Sequence, residues 1–157
     1  MHVSNLGIFS LKRFLFSKLY KYRLENIVMV MEDIALLIIR LIIGSFFIKH
    51  GCKKLMDPKD IANWLDKLGY KPGILFAWFI IIIEFFGGIL LILGLGSRLF
   101  ALLMGAVMLQ GIYHRKFVKR LGFVDGWEIN YVSLAALVAL VLLGSGSISL
   151  DAVFGIF

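Results

Sequence analysis

The chain has 157 residues, of which 61% are hydrophobic, and its mean hydropathy is +0.93. Soluble domains are only about half apolar, so this composition argues against an ordinary water-soluble protein and predicts an integral membrane protein. The formal net charge of +7 does not indicate nucleic-acid binding. The basic residues stand in short segments beside apolar runs, where they suit anionic lipid headgroups, and we expect the lipid bilayer as the first partner.

Residues 1–31 differ from the rest of the chain, and two interpretations of them are open. Lysines and arginines flank a set of apolar residues at helical spacing, which predicts an interfacial amphipathic helix. The residues of this apolar face are Leu11, Phe14, Leu15, Leu19 and Tyr22. Alternatively, Met29 or Met31 is the true start and the extension is an artefact of the start codon chosen. N-terminal sequencing of the native protein separates the two.

Four apolar runs follow, at residues 34–50, 74–95, 99–113 and 129–143. Each reaches, or can extend to, the ~20 residues that cross a bilayer as a helix. Residues 32–157 are therefore predicted to form one all-α domain, an integral membrane bundle of four antiparallel helices with short loops. The expected location is the cell membrane, as a multi-pass protein.

The linkers carry their own structural signals. Asp57-Pro58 and the apolar spacing up to Gly69 predict a short helix on the membrane surface, and Gly94-Leu-Gly96 predicts a tight hairpin. The loops after the first and third runs hold nine lysines and arginines, whereas the opposite linker holds only Arg98. This places the basic loops in the cytoplasm if residues 1–31 are absent, and residues 1–31 favour the reverse if they are present.

Two charged residues lie deep within apolar runs, Arg40 in the first and Glu84 in the second. An ionisable group at that depth costs several kcal/mol unless it is paired or hydrated. Each lies about 10 residues, or roughly 15 Å at 1.5 Å per residue, from the shared loop side. We therefore predict a buried Arg40–Glu84 pair, with close helix approach at Gly44, Gly87 and Gly88.

Two roles for such a pair are open. It could act as a structural staple that fixes helix register. It could also be a functional site that binds an anion, relays a proton or contacts a quinone headgroup.

Further polar residues stand at the loop-side ends of the runs and predict a polar mouth, which consists of His50, Lys54, Gln110, His114 and Glu128. Two histidines and a carboxylate could ligate a metal, but they come from three helices without HxxxH or HExxH spacing, so we predict no metal site. Trp64, Trp78 and Trp127 suit an aromatic belt. The single cysteine, Cys52, excludes an internal disulfide.

The order and spacing of these residues over about residues 34–157 resemble the DoxX family of small four-helix membrane proteins. The resemblance rests on five motifs in chain order: Arg40-x-x-x-Gly44, His50-Gly51-x-x-Lys54-Leu55, Glu84-x-x-Gly87-Gly88, Gly94 with Arg98, and Gly144-x-Gly146 with Ser149-Leu150-Asp151. Ser145 departs from it, since many relatives carry proline there. The positions that recur in the family are Arg40, His50, Lys54 and Glu84, and no catalytic residue is carried over.

The resemblance implies a membrane subunit of an oxidoreductase system, since some relatives serve archaeal thiosulfate:quinone oxidoreductase or accompany redox-stress enzymes. The sequence has no Rossmann glycine fingerprint, CxxCH haem site or cysteine cluster. Any redox cofactor is therefore expected to be a quinone or to lie on a partner such as a soluble oxidoreductase subunit, and autonomous catalysis is not expected. The alternatives are a non-enzymatic scaffold or assembly factor that recognises other membrane proteins and, with weaker support, small-solute transport.

Overall fold

The computed structural model describes the backbone of residues 4–156 and the side chains of residue 16 and residues 18–156. This part of the chain is almost entirely helical and contains no strand, which confirms the all-α prediction. The helices are α1 (Ser4–Met56), α2 (Pro58–Lys67), α3 (Gly73–Leu93), α4 (Ser97–Tyr113), α5 (Glu128–Leu143) and α6 (Leu150–Phe154).

The long helices pack around one apolar core. The C-terminal half of α1 packs on α3, α3 on α4 and α4 on α5, and α5 also contacts α1; these helices are called the bundle below. Side chains with almost no exposed surface fill its centre, among them Phe47, Leu91, Met104, Leu137 and Leu140. Many apolar side chains on the outside are exposed, which is the arrangement expected where lipid replaces water as the neighbour.

Membrane-crossing helices can be identified by length and composition. Within the described residues, Gly73–Leu93 and Phe123–Leu143 are both long enough and apolar enough for this, with 21 residues each. The other two predicted spans correspond to α4, which has 17 residues, and to the part of α1 around Arg40.

Helix α1 continues without interruption across residue 31, so the backbone has no break at the predicted domain boundary. Leu11, Phe14 and Leu15 of the predicted amphipathic face lie outside the described side chains, and Leu19 and Tyr22 are exposed. The division at residue 31 stays a prediction.

The short helix predicted after Asp57 is confirmed as α2. Asp57 caps it by accepting a hydrogen bond from the Asp60 amide at 3.2 Å, and Pro58 occupies the first helical turn. The amphipathic α2 then packs on the beginning of α3. A Cβ at Gly73 would lie 2.2 Å from the Ala62 carbonyl oxygen, so only glycine permits this approach. As a result, α2 covers the first turns of α3.

Glycines also set how α1 crosses α3. A Cβ at Gly44 would lie 2.8 Å from the Gly88 carbonyl oxygen, and one at Gly51 would lie 2.7 Å from the Phe85 nitrogen. The predicted close approach at Gly44 and Gly88 is therefore confirmed. Gly87 instead faces Met104 of α4.

The two remaining connections differ in regularity. Gly94 and Gly96, both with positive φ, join α3 and α4 in the predicted tight hairpin. Between α4 and α5 the chain forms two wide helical turns, His114–Val118 and Phe123–Trp127, and the second is broken at Asp125, whose φ is 59°. This break lets α5 reverse direction and pack against α4.

Candidate functional site

Glu84 is buried in the middle of α3, with only 1% of its surface exposed, and it forms an ion pair with Lys54 of α1. The glycine at position 51 permits this pair, because it lets α1 touch α3 at Phe85. Lys54 lies one turn further along α1, and its long side chain reaches inward to the carboxylate. The charge of Glu84 is thus compensated from the loop side of the bundle.

The predicted pair between Arg40 and Glu84 is wrong, since each of these described residues has other partners. Arg40 is fully buried and donates hydrogen bonds to the carbonyl oxygens of Ile148 and of Ile92, the latter at 3.5 Å. Asp33 and Asp151 are the carboxylates that act electrostatically on it. Both charges are compensated, but at opposite ends of the bundle.

The register of α1 and α3 explains this difference. Gly51 packs on Phe85, which in an antiparallel pair places Arg40 level with Gly96, and the Arg40 side chain reaches Ile92. These two positions lie twelve and eight residues beyond Glu84, so the level of Arg40 is about ten residues beyond Glu84. At 1.5 Å per residue that is about 15 Å along the helix axis. The prediction aligned the start of α3 with residue 50 of α1, but α1 continues to Met56 and α2 occupies the first turns of α3.

A cavity of about 640 Å³ opens at the loop side, between α1, α2, α4 and the start of α5, and Glu84 is part of its wall. Four of the five residues of the predicted polar mouth line it: His50, Lys54, Gln110 and His114. Glu128 does not line it, because its carboxylate turns to the preceding loop and accepts a hydrogen bond from the Asp125 amide at 3.3 Å.

The structure adds lining residues that the sequence did not indicate. Trp64 of α2 meets His114 edge to face with ring centroids 4.9 Å apart, so it is a residue of the cavity wall, and its place in an aromatic belt stays a prediction. Asn130 enters from α5, and Gly111 makes room for it, since a Cβ there would lie 2.6 Å from the amide nitrogen. The only signal for Asn130 was its polar side chain at the start of an apolar run.

Three buried polar atoms in the cavity wall have no hydrogen-bond partner among the described residues: Glu84 Oε2, His114 Nε2 and Asn130 Oδ1. Their residues are 1%, 6% and 7% exposed. Buried polar groups are nearly always satisfied, so three such atoms around one cavity call for ordered water or another bound group. Such a group can bind here through hydrogen bonds.

The electrostatic environment of the cavity is asymmetric. Exposed cations, Lys53, Arg115 and Lys119, stand at its rim, and Asp57 and Asp60 lie on the side of α2. Burial, followed by the charges of Lys119 and Arg115, lowers the pKa of His114 below its usual value. His114 is therefore neutral at pH 7, with one ring nitrogen able to donate and the other to accept.

The predicted absence of a metal site stays a prediction. Within the described part of the chain, no three His, Cys, Asp or Glu side chains converge as a metal site would require. His50 and His114 share the cavity, yet each is packed against an aromatic ring, Phe46 and Trp64 respectively.

An apolar groove of about 220 Å³ adjoins the cavity on the outside of α3 and α4. Ile80, Val107 and Gln110 line both spaces, so the cavity and the groove adjoin at these three residues. Aromatic side chains of α3, Phe76 and Phe79, are exposed along the groove. The polar cavity thus has an apolar neighbour that faces outward.

At the opposite end of the bundle, the segment after α5 is hydrogen-bonded to α1 and to the start of α4, beside a second cavity of about 600 Å³ that Ser97 and Asp151 help to line. Two buried atoms at this end, Arg40 Nε and Ser97 Oγ, have no partner among the described residues. Asp151 accepts hydrogen bonds from the amides of Gly96 at 2.7 Å and Ser97 at 3.0 Å, and so caps α4 in place of a local N-cap. Asp33 accepts hydrogen bonds from the amide of Ser147, at 2.7 Å, and from its hydroxyl. With Arg40, these contacts form what is called the closed end.

Comparison with known proteins agrees with the predicted resemblance. The DoxX family model matches residues 35–114. A protein of Bacillus subtilis (strain 168) named "Putative oxidoreductase CatD" is 29% identical over 119 residues, which are 76% of this chain and 86% of that protein. No solved structure matches the chain. The family match spans just over half of the chain and includes Arg40, Lys54, Glu84 and His114, and the chain therefore belongs to the DoxX family.

Proposed function

We propose that this DoxX protein is the membrane subunit of an oxidoreductase system, crosses the cell membrane four times, and binds the headgroup of a quinone, in its oxidised or reduced form, in the cavity. The observation that carries the proposal is the set of three unpartnered buried polar atoms around a space of about 640 Å³. The relative named as an oxidoreductase supports the redox assignment.

Four crossings are supported by the way charge is distributed. Arg40 and Glu84 are buried within the bundle, whereas the neighbouring residues on the outside of the same helices are apolar and exposed, such as Ile38, Ile42 and Phe86. A charged group in a bilayer must face the protein interior and be paired, and both charges meet this condition. Helix α4 and the part of α1 after Asp33 therefore cross beside the two helices that meet the length and composition criteria.

The cavity offers the contacts that a quinone ring uses. Lys54 and neutral His114 can donate hydrogen bonds to quinone carbonyls, and Trp64 and Ile80 provide flat and apolar surface. A bound quinone would supply two-electron redox chemistry that the side chains do not have. The role of this chain's residues is to orient the ring and exchange hydrogen bonds with its oxygens.

The cationic rim suits a soluble partner. Lys53, Arg115 and Lys119 are exposed beside the cavity opening, where an acidic face of a soluble oxidoreductase subunit would approach the bound headgroup. We include such a subunit in the proposal as the source or acceptor of electrons.

The test is purification of the tagged chain from native membranes in mild detergent, with quinone analysis of the eluate. Lys54→Gln removes a cavity cation, and Lys49→Gln is the matched control, because Lys49 lies on the same helix but does not line the cavity. We expect Lys54→Gln to lower bound quinone severalfold and Lys49→Gln to leave it unchanged. An eluate with neither quinone nor a redox partner would refute the proposal.

A scaffold or assembly factor is the second candidate, and the first half of α1 favours it. Between residues 16 and 31 this helix exposes large apolar side chains, including Phe16 at 72% and Met31 at 66%. Deletion of residues 1–31 distinguishes the two functions. If the variant loses its partner proteins but keeps bound quinone, residues 1–31 act as a scaffold; if it keeps both, this role is excluded.

A further inference from the structure

We infer that the cavity and the adjoining apolar groove are one binding site for the reduced form of the ligand, a hydroquinone that carries a long apolar side chain. The inference rests on the proposed function, in that it takes the quinone site and assigns its preferred oxidation state and its route of entry. It is carried by the hydrogen-bonding character of the cavity wall and by the residues that the two spaces share.

The preference for the reduced form follows from the inventory of unpartnered atoms. Glu84 accepts from Lys54 through Oε1, and its Oε2 is buried without a partner among the described residues. As the carboxylate of that ion pair, Glu84 has no proton to donate, so Oε2 can only accept a hydrogen bond. Asn130 uses its amide nitrogen on the Met108 sulfur at 3.5 Å, which leaves Oδ1, again an acceptor. At least two buried acceptors in this wall therefore need donors.

The two redox forms of the ring differ in just this respect. A hydroquinone has two O–H donors, whereas a quinone has two carbonyl oxygens and no donor. A quinone would leave both acceptors without a donor. The free-energy cost of an unpaired buried polar group is larger than the net stabilisation that a formed hydrogen bond provides. His114 Nε2 can serve either form, because its tautomer can change.

The side chain of the ligand is assigned to the groove. Ile80, Val107 and Gln110 line both spaces, so a ring in the cavity lies against the wall of the groove. The other groove residues are almost entirely apolar, and exposed Phe79 and Ala106 open it outward, towards the acyl chains of a bilayer. Entry from the bilayer, past Gln110, places the polar ring inward and the tail outward.

The test measures binding to the purified full chain in quinone-free lipid nanodiscs under anaerobic conditions. The probes are decylubiquinol, decylubiquinone and the corresponding hydroquinone without a tail. We expect decylubiquinol to bind at least about tenfold more tightly than decylubiquinone, since one satisfied buried acceptor is enough for that ratio. Equal binding of the two forms, or tighter binding of the quinone, would overturn the inference.

Variants assign the effect to the named atoms. Asn130→Ala removes one acceptor, and Glu84→Gln replaces an acceptor-only group by one that can also donate; both should bring the ratio closer to one. If Glu84→Gln fails to fold, as judged by circular dichroism and size-exclusion chromatography, Asn130→Ala carries this part of the test. An unchanged ratio in Asn130→Ala contradicts the assignment.

A matched pair of substitutions tests the groove. Ala106→Phe fills it, whereas Ala135→Phe adds the same bulk on the exposed side of α5, away from the groove. Ala106→Phe should weaken decylubiquinol severalfold without affecting the tail-less hydroquinone, and Ala135→Phe should affect neither. If the groove substitutions do not have these effects, the inference about the groove is wrong but the proposed function stands, because a redox partner and a bound quinone would still co-purify. If no quinone co-purifies from native membranes, the proposed function itself is contradicted.

Discussion

The two ends of the bundle differ in how their carboxylates are bonded. At the closed end Arg40, Asp33 and Asp151 bond to backbone groups of distant segments, and the last of these caps a helix that has no cap of its own. At the cavity end Glu84, His114 and Asn130 each keep a buried atom unpartnered. Both oxygens of Asp33 and of Asp151 accept hydrogen bonds, whereas Glu84 Oε2 accepts none from the described residues. Arg40 Nε and Ser97 Oγ are also buried without a partner at the closed end, so the contrast lies in the carboxylates and in the three free atoms around one cavity, and it favours the cavity end as the place where something binds.

The largest loss of stability is expected from Arg40→Met, which removes the guanidinium donor of the closed end and keeps an unbranched aliphatic side chain in its place. The carbonyl oxygens of Ile148 and Ile92 lose their donor, and Asp33 and Asp151 lose the nearby positive charge. Removing one side of such a buried arrangement costs about 3–5 kcal/mol. The free energy of unfolding in mixed micelles measures it.

Arg98→Met is the control for that experiment, since Arg98 lies at the same end but is exposed. We expect it to change stability by less than about 0.5 kcal/mol. Equal losses for the two arginine variants would mean that the closed end is not built around Arg40.

Gly94→Ala comes next in size. Gly94 has a φ of 71°, and a Cβ there would lie 2.1 Å from Arg40 Nη1, so the substitution adds backbone strain and also displaces the guanidinium. We expect a loss of about 2–4 kcal/mol in the same unfolding measurement.

Gly155→Ala separates the two contributions, because Gly155 has a φ of 65° but nothing within 4 Å of its Cβ position. Its loss should be only the strain of a left-handed residue, about 1 kcal/mol. If both glycine variants lose the same free energy, contact with Arg40 plays no part at Gly94.

A smaller effect is expected from Ser147→Ala, which removes a hydroxyl bonded to Asp33. The hydrogen bonds from Ser147 lower the pKa of Asp33 below the ordinary pKa of an aspartate. They therefore stabilise the folded chain fully at pH values above that ordinary pKa, and this stabilisation is lost as the pH falls through the lowered pKa. The variant should lose about 1 kcal/mol at neutral pH and nothing at strongly acid pH. Unfolding free energies measured across that range check this.

Ser45→Ala is the matched control, because the Ser45 hydroxyl bonds only within its own helix, to Ile42 at 2.9 Å. It should show no such dependence on acid. A loss in Ser147→Ala that stays constant down to strongly acid pH would contradict the role of Asp33.

The smallest effect belongs to the cavity end, at His114, which follows α4 and lies outside the proposed spans. Its pKa is lowered by burial, so the unfolded chain takes up the proton first as the pH falls. Stability should therefore decline from about pH 6.5 downward, until the pH reaches the lowered value. His114→Gln should reduce the slope of the unfolding free energy against pH in this range. If the slope does not change, another titratable group causes it.

The parts of the fold that local sequence determines were predictable. Asp57-Pro58 predicted the start of α2, and the glycines at 94 and 96 predicted the hairpin, because capping and positive φ depend on the residue itself. Four lining residues of the cavity, His50, Lys54, Gln110 and His114, were also predicted from their position at the ends of apolar runs. Glu128 was predicted but does not line the cavity, and Trp64 and Asn130 line it but were not predicted to.

The partners of the buried charges could not be predicted in the same way. A hydropathy pattern locates Arg40 and Glu84 within their own helices but does not fix how far α1 slides along α3. That register depends on the glycine contacts at 44 and 51 and on α2, which displaces α1 from the first turns of α3. Lys54, which was predicted only as part of the polar mouth, has a side chain long enough to reach Glu84 once the register is set.

The bond from Arg40 to the Ile148 carbonyl spans 108 residues of sequence, which has a consequence for biogenesis. At the usual pace of translation, about 5–20 residues per second, the acceptor is made roughly 5–20 s after the arginine. Throughout that interval the nascent α1 carries a cation whose final binding site does not yet exist. If the bundle crosses the bilayer as proposed, insertion of this helix either waits for the later segments or needs shelter in the translocation machinery until they arrive.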